Sequence, residues 1–342
     1  MNRRHVVLVT YGEPPTPAFA AQLRYSWRIL LGLTRTVAPI PAWVLPMIAV
    51  SRGRSRRALW TAERYGSPLE PCTQAQARAL APALAAAAPG VDWQVHVAYE
   101  FRDPPLPDTL DRLPAGEAVD VIPMYAADSA FTHALTRQTV AHWLARTGRG
   151  PVRVLPAADP ERLADVSARH LLAAAGDATG PGWALMLAAH GTLLEPPRPM
   201  DTGREATEDL RRRIEARLAG RFGRVAHGWL NHTMGGRWTE PPMEEALRAV
   251  AAAGFRKVVY YPFGFLADNA ETQLEGRLAL RPHAFAEARQ LPCLNDAPAL
   301  AALLAAMVAG APGTVAAPAV EAEPVATRGR GARRGHAAAA GA

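Results

Sequence analysis

Lysine is almost absent from this 342-residue chain: of its 38 basic residues, all but Lys257 are arginine. Cysteine is scarce too, with only Cys72 and Cys293, far apart, each beside a proline and neither near a metal-type partner. Two such thiols exclude a disulfide framework and point to a reducing compartment. They also exclude a cysteine-ligated iron–sulfur cluster, which needs about four thiolates. No run reaches the ~18–20 apolar residues of a membrane-spanning helix. The strongest run, residues 29–50, is broken by Arg35 and three prolines. The opening "MNRRHVVLVTY" is too short in its apolar part to read as a secretory signal. A cytoplasmic protein, with at most peripheral contact at the inner membrane, is therefore expected.

The net charge of +7 comes with an Ala/Arg/Pro/Gly-rich composition, which codon usage in a GC-rich genome explains. An anionic lipid surface or an acidic ligand is the lesser explanation. No nucleic-acid motif accompanies the arginines, so nucleic acid is not an expected partner. With 49% hydrophobic and 20% charged residues, the chain can bury a substantial core in one large domain or two.

Strand-like runs fall at 5–11, 93–99, 118–125, 152–156, 183–190, 224–230 and 257–266, with helical segments such as 73–88, 131–147, 203–220 and 242–253 between them. Near-continuous apolar strands alternating with helices predict an α/β fold with parallel sheets covered on both faces. The pattern runs twice. Two doubly wound halves are expected, 1–160 and 161–310, followed by a tail, 311–342. The tail has too little bulky apolar content to offset its ordering entropy and reads as disordered. In doubly wound sheets, ligands bind beyond the carboxyl ends of the strands. Tyr11, Tyr125, His190 and the loop 264–275 all fall there.

"LMLAAHGTL" (185–193) places His190 as the first polar residue after a buried run, with Gly191 next. Taken alone, such a histidine more often caps a helix or satisfies a carbonyl. At a strand tip, an imidazole can also accept a proton or a metal near neutral pH. "GFLADNAETQLEG" (264–276) spaces Asp268, Glu271 and Glu275 at i, i+3, i+7. If helical, the three share one face. Asp268 as N-cap with Glu271 at N3 would form a capping box, which explains those two but not Glu275. A row of carboxylates suits a divalent cation or stepwise proton removal. The stretch 60–77 holds Gly66-Ser67-Pro68, a turn ahead of a helix near Thr73. The segment 39–58 runs from proline-containing apolar sequence around Trp43 into four arginines at 52–57. It is either a buried loop leading into a solvated helix, or an exposed apolar lip with a basic rim. Such a lip suits an apolar ligand bearing carboxylates, or a bilayer surface.

In order along 5–310, these motifs resemble the ferrochelatases, which insert ferrous iron into a porphyrin. "VLVTYGEPP" resembles the family's first strand and Gly-x-Pro turn. "YGSPLEPCTQAQA" resembles its Gly-Ser-Pro-Leu…Thr-x-x-Gln-Ala segment, "IPMYAADSAFT" its Pro-Leu-Tyr-Pro-x-x-Ser strand end, and "LMLAAHG" its Ser-Ala-His-Gly. "YPFGFLADNAETQLE" resembles Pro-Gly-Phe-x-x-Asp-x-x-Glu-Thr-Leu-x-Glu. The resemblance implies two Rossmann-like domains with a porphyrin cleft between them. It implies that His190 and Glu271, as catalytic and metal-contacting residues, face each other across the macrocycle centre, with Asp268 and Glu275 extending a polar path. Arg52 and Ser67 would hold propionates, Tyr11 would lie over the opposite face of the ring, and Tyr125 would line the porphyrin site. Differences from the family pattern include Ala188 for Ser, Asp128 where Tyr is common, Asn269 for His or Cys, and Leu230-Asn231 for Gln-Ser.

The activity so implied is Fe2+ insertion into protoporphyrin IX, with iron as substrate and no permanently bound cofactor, in an expected monomer. The apolar lip favours protoporphyrin; Tyr11 resembles the coproporphyrin III type. A cobalt or nickel chelatase, for which His232 is the extra imidazole, and a non-catalytic porphyrin or haem carrier are the other readings. A carrier has no need of His190 together with Glu271.

Overall fold

The computed structural model describes residues 2–36, 40–231 and 236–310. The tail 311–342 and His232 lie outside them. Eight strands form two four-stranded sheets, every pair parallel. In the first, β1 (Asn2–Thr10), β2 (Val91–Tyr99), β3 (Ala118–Pro123) and β4 (Val152–Val154) lie in the order β2-β1-β3-β4. In the second, β5 (Gly180–His190), β6 (Phe222–Leu230), β7 (Lys257–Tyr261) and β8 (Glu287–Gln290) repeat that order as β6-β5-β7-β8. In each sheet the chain turns away in opposite directions from the two central strands. That leaves a crevice beyond their carboxyl ends, where open α/β sheets bind ligands.

The central strands are the most apolar: Val6–Val9 and Ala184–Ala188 are wholly buried. The outermost strand β8, "EARQ", has no bulky apolar residue and pairs only with β7. Its polar edge character hid it from hydrophobic patterning. The run expected as strand 257–266 stops at Tyr261, because Pro262 has no N–H to give to a ladder.

The helices are α1 (Phe19–Thr36), α2 (Leu45–Ala62), α3 (Leu69–Ala87), α4 (Leu106–Arg112), α5 (His133–Thr147), α6 (Pro160–Ala175), α7 (Arg204–Arg217), α8 (Met243–Ala252), α9 (Gly276–Leu280) and α10 (Pro298–Gly310). A π-helical turn, Ala270–Glu275, leads directly into α9. From Leu45 onward the segment 39–58 is helix, with Pro46 in the first turn, where a missing N–H costs nothing. Gly53 lets α2 approach α1 closely: a Cβ there would lie 3.2 Å from the Leu23 backbone. Trp27, Trp43, Met47 and Leu59 stay exposed, so this pair of helices does form an apolar lip.

A boundary at 160/161 separates the two sheets but not their cores. One buried cluster joins Val6, Leu8, Leu80 and Leu84 of the first half to Leu185, Leu187, Leu303 and Leu304 of the second. Helix α10 returns from the end of the second half to pack on α3. The two halves share one packed core.

Candidate active site

The second half supplies titratable groups. Ala188 and Ala189 end the buried part of β5, and their small size admits the next loop. Gly264 sits so close that a Cβ on it would meet the Ala189 Cβ at 2.8 Å. His190 follows at the strand tip, half-exposed, and Gly191 N–H bonds back to the Leu230 carbonyl (2.8 Å). Beyond β7 the chain turns and enters the π-helical turn. Its N-cap is Asn269, not Asp268: the Asn269 Oδ1 accepts from the Glu271 and Thr272 N–H groups (2.9 and 3.1 Å), and Thr272 Oγ1 accepts from Asn269 N–H. Glu271 is thus not the partner residue of a capping box; Thr272 is. The π geometry frees backbone carbonyls, and Gln290 Nε2 donates to those of Thr272 and Gln273.

Asp268 departs from the expected acidic line. It lies before the cap, 4% exposed, and accepts from Cys293 N–H (3.0 Å), Asn295 Nδ2 (2.8 Å) and Thr272 Oγ1 (3.3 Å). Its lone pairs are spent on holding the loop. Only Glu271 and Glu275, one turn apart, continue the acidic row.

His190 Nδ1 and Glu271 Oε2 are 2.7 Å apart, and Asn231 Nδ2 donates to the other Glu271 oxygen (3.1 Å). The two side chains meet directly. The expected arrangement, facing each other with the macrocycle centre between them, needs several ångströms of gap; a ring can only stack against this pair. Burial works against the charged imidazole, but the Glu271 charge and hydrogen bond, aided by Glu275, outweigh it and hold the His190 pKa above its ordinary value. Burial likewise works against the Glu271 carboxylate, and His190, Asn231 and Arg56 overcome it, so its pKa is lowered. Both directions describe one imidazolium–carboxylate pair. Burial and the Glu271 charge push Glu275 up to about 8. Among the described residues no group of three or more His, Cys, Asp or Glu side chains is assembled to hold a metal. The donor set here is an imidazole and a carboxylate.

The first half supplies the facing wall. Tyr11, just past β1, stacks on Phe101 (5.5 Å between ring centres), touches Tyr125 (4.9 Å), and donates its hydroxyl to the Phe131 carbonyl (3.0 Å). Burial, then the Glu271 charge, raises the Tyr11 pKa, which places Tyr11 near the second half's carboxylates. Arg52 and Arg56 lie one turn apart on α2. Burial first, and Arg56 second, lower the Arg52 pKa, while Tyr25 and Glu275 oppose that. Ser67, expected to hold a propionate, instead donates to Glu13 Oε2 (2.6 Å). Its hydroxyl is committed within the protein because a buried carboxylate stands beside it.

Three residues here were not singled out from sequence. Asn231 was visible only as a difference from the family pattern. Arg56 stood among four arginines with nothing to mark it. It packs over Tyr25 and Trp60 and bonds Gln22 Oε1 (2.9 Å). Glu13 follows Gly12, whose φ of +76° and close approach to Tyr99 make the strand-end turn that delivers it.

The ferrochelatase family model matches residues 3–311. A ferrochelatase of Xylella fastidiosa (strain M23) is 29% identical over 321 residues, covering 88% of this chain and 96% of the relative. Among solved structures, SirB from Bacillus subtilis with Fe3+ aligns with a TM-score of 0.53 at 9% identity, over 90% of this chain and 94% of its own. CbiX, described as the terminal enzyme for biosynthesis of siroheme in denitrifying bacteria, gives 0.51 at 20% identity, over 90% and 99%. Both likenesses are of fold: the two sheets form the Rossmann-like chelatase arrangement.

Proposed function

The chain belongs to the ferrochelatase family and is a metal chelatase of haem synthesis, and we propose that it inserts Fe2+ into protoporphyrin IX. The observation that carries this is the His190–Glu271 pair at the tip of β5, 2.7 Å apart, with Glu275 one turn on. Metalation removes two pyrrole protons and strips water from the ion. His190 Nδ1 is committed to Glu271, which leaves Nε2 to take a pyrrole proton once the ring is neutral. The Glu271–Glu275 row then carries each proton away. An arriving dication favours ionised Glu275, so metal binding expels its proton and readies that carboxylate as an acceptor. Neutral His190 Nε2 and a Glu271 oxygen would hold Fe2+ only loosely, and the imidazole takes a pyrrole proton only as the ion leaves it for the pyrrole nitrogens.

Tyr11 and Tyr125 form the apolar wall for the macrocycle, and Arg52 meets a propionate. Ser67, whose hydroxyl faces Glu13, is left out of that role. The exposed Trp43, Met47 and Leu59 beside the arginines of α2 suit protoporphyrin's apolar edge and peripheral contact with an anionic bilayer on the cytoplasmic side. No described helix is long and apolar enough to cross a membrane. Coproporphyrin III is the second reading, favoured by Tyr11 at the cleft wall. Anaerobic turnover with Fe2+ and each porphyrin, followed by loss of porphyrin fluorescence with His190→Ala alongside, tests both. Faster metalation of protoporphyrin, lost in the variant, supports the first reading, and faster metalation of coproporphyrin the second. Tight porphyrin binding without metalation means a carrier.

A further inference from the structure

We propose that Glu13 is a positioning residue for metal insertion: its carboxylate reaches across from the first half and clamps the start of the π-helical turn that carries Glu271. Glu13 Oε2 accepts the Ala270 N–H (3.0 Å) and the Ser67 hydroxyl (2.6 Å), while Oε1 lies 3.8 Å from Arg56 Nη2. The Glu13 carbonyl accepts from Arg102 (3.4 Å). Three side chains and one backbone N–H, from four segments, converge on one residue that is 7% exposed.

The local cap explains why this contact is needed. Asn269 satisfies the N–H groups of Glu271 and Thr272 but not that of Ala270. Ala270 is 2% exposed, packed with Trp60, Tyr65 and Leu274, so no water replaces the missing acceptor. Glu13 supplies it from 257 residues away. A carboxylate gives the shorter, stronger charge-assisted bonds. Arg56 offers the opposite charge that its burial demands. Burial pushes the Glu13 pKa up, and Arg56, Ser67 and Ala270 pull it back towards the charged form. Losing the clamp frees the peptide next to Glu271, and a shift of about 1 Å at a reacting group is costly.

The inference rests on the assignment of Glu271 to metal insertion, so Glu271→Gln is measured with it. Steady-state Fe2+ insertion is compared for Glu13→Ala, Glu13→Gln, Ala270→Pro and the double variant Glu13→Ala/Ala270→Pro. Proline removes the donor and sets its ring Cδ where the N–H pointed, without straining the preceding residue: Asn269, at φ −151° and ψ −173°, already has the extended backbone that precedes proline. Glu13→Ala is expected to lower kcat about tenfold or more, with porphyrin KM unchanged within about twofold. Glu13→Gln, whose amide oxygen still accepts both bonds, keeps kcat within about threefold of wild type. Ala270→Pro reproduces the loss, and the double variant is no worse than the worse single one. If Glu13→Ala does not fold, Ala270→Pro against Glu13→Gln carries the same comparison. Wild-type kcat in Glu13→Ala or Ala270→Pro, equal losses in Glu13→Gln and Glu13→Ala, or additive losses in the double variant overturn the clamp. If Glu271→Gln keeps wild-type turnover, the assignment of Glu271 falls and takes the clamp with it. If Glu271→Gln is impaired and Glu13→Ala is not, only the clamp falls.

Discussion

The two halves share one strand order, and they differ most tellingly at the carboxyl ends of their central strands. At the tip of β1 stands Tyr11-Gly12; at the tip of β5 stands His190-Gly191. Around Tyr11 the chain gathers Phe101, Tyr125 and His133, rings packed on rings. Burial raises the Tyr11 and Tyr125 phenols, which keeps both neutral, and lowers His133 to about 4, which keeps it neutral too. Around His190 it gathers Glu271, Glu275 and Asn231: the imidazole is held above its ordinary value, Glu271 below its own, and Glu275 is pushed up to about 8. The same crevice is rimmed by packed aromatic rings in one half and by an imidazole and carboxylates in the other. Topology supplies the crevice; the residues at its rim decide what it does.

The most direct way to break that contrast is to remove the key side chain from each rim. His190→Ala is expected to lower the rate of metal insertion about 10²–10⁴-fold while porphyrin binding, read by absorbance, persists. Tyr11→Phe keeps the ring stack and loses only a bond to the Phe131 carbonyl, so its rate stays within about threefold of wild type. A large loss in Tyr11→Phe with a small one in His190→Ala would reverse the assignment of wall and site.

A second test sharpens the role of charge in the reactive half. His190 must lose its proton before it can take one from the substrate. Glu271 raises the His190 pKa, so turnover should climb with pH through a midpoint above the ordinary imidazole value of about 6.5. Below that midpoint the pair sits as imidazolium and carboxylate. Glu271→Gln removes both the charge and the strongest acceptor, leaving burial to push the imidazole down. The acid limb of the kcat profile then moves to lower pH by about one unit, with a lower plateau. A limb that stays in place would mean another group sets it.

What joins the halves is as informative as what separates them. Gln76, 3% exposed on α3, donates from Nε2 to the Leu266 carbonyl (2.9 Å) and the Asn295 carbonyl (3.1 Å), both in the reactive half. Gln76→Leu leaves two carbonyls without that donor and is expected to cost about 2 kcal/mol in urea unfolding. Hydrogen exchange should speed in 262–269 and not in β1. Equal loosening in both would show that Gln76 supports the whole core instead of the junction.

Gln76 also marks how far the sequence could be read. Its motif was visible only through the family resemblance, whereas His190 at a strand tip stood out because its signal is local: a buried run, a polar residue, a glycine. The doubled strand–helix rhythm likewise follows from nearest-neighbour hydropathy. Glu13, Arg56 and the commitment of Ser67 were not legible, because each is defined by a partner from another segment: Ala270 for Glu13, Gln22 and Tyr25 for Arg56, Glu13 for Ser67. Asp268 misled for the opposite reason. Its spacing to Glu271 fits a helix face, but the helix begins one residue later, at a cap that Asn269 and Thr272 build with each other.

The smallest expected effect separates two buried carboxyls, one from each half, by the sign of their pH response. Glu100, just past β2 and largely buried, accepts from Thr136 Oγ1 (2.7 Å), yet burial outweighs that bond and pushes its carboxyl up to about 7. A carboxyl with a raised folded pKa favours the native state fully only below its unfolded value, and loses that contribution as pH rises through about 7. Glu100→Gln is therefore expected to leave stability unchanged near pH 4 and to raise it by roughly 2 kcal/mol near pH 8, a shift of a few degrees in Tm. Glu271 has the opposite sign. Its lowered pKa contributes stability above the unfolded carboxylate value and loses it as pH falls. Glu271→Gln should thus cost stability at neutral pH and nothing in acid. Glu100 destabilises when it ionises, because among the described residues no cation is paired with it; Glu271 stabilises, because His190 stands 2.7 Å away. Parallel pH profiles for the two variants would show that these two carboxyls do not differ electrostatically in this way.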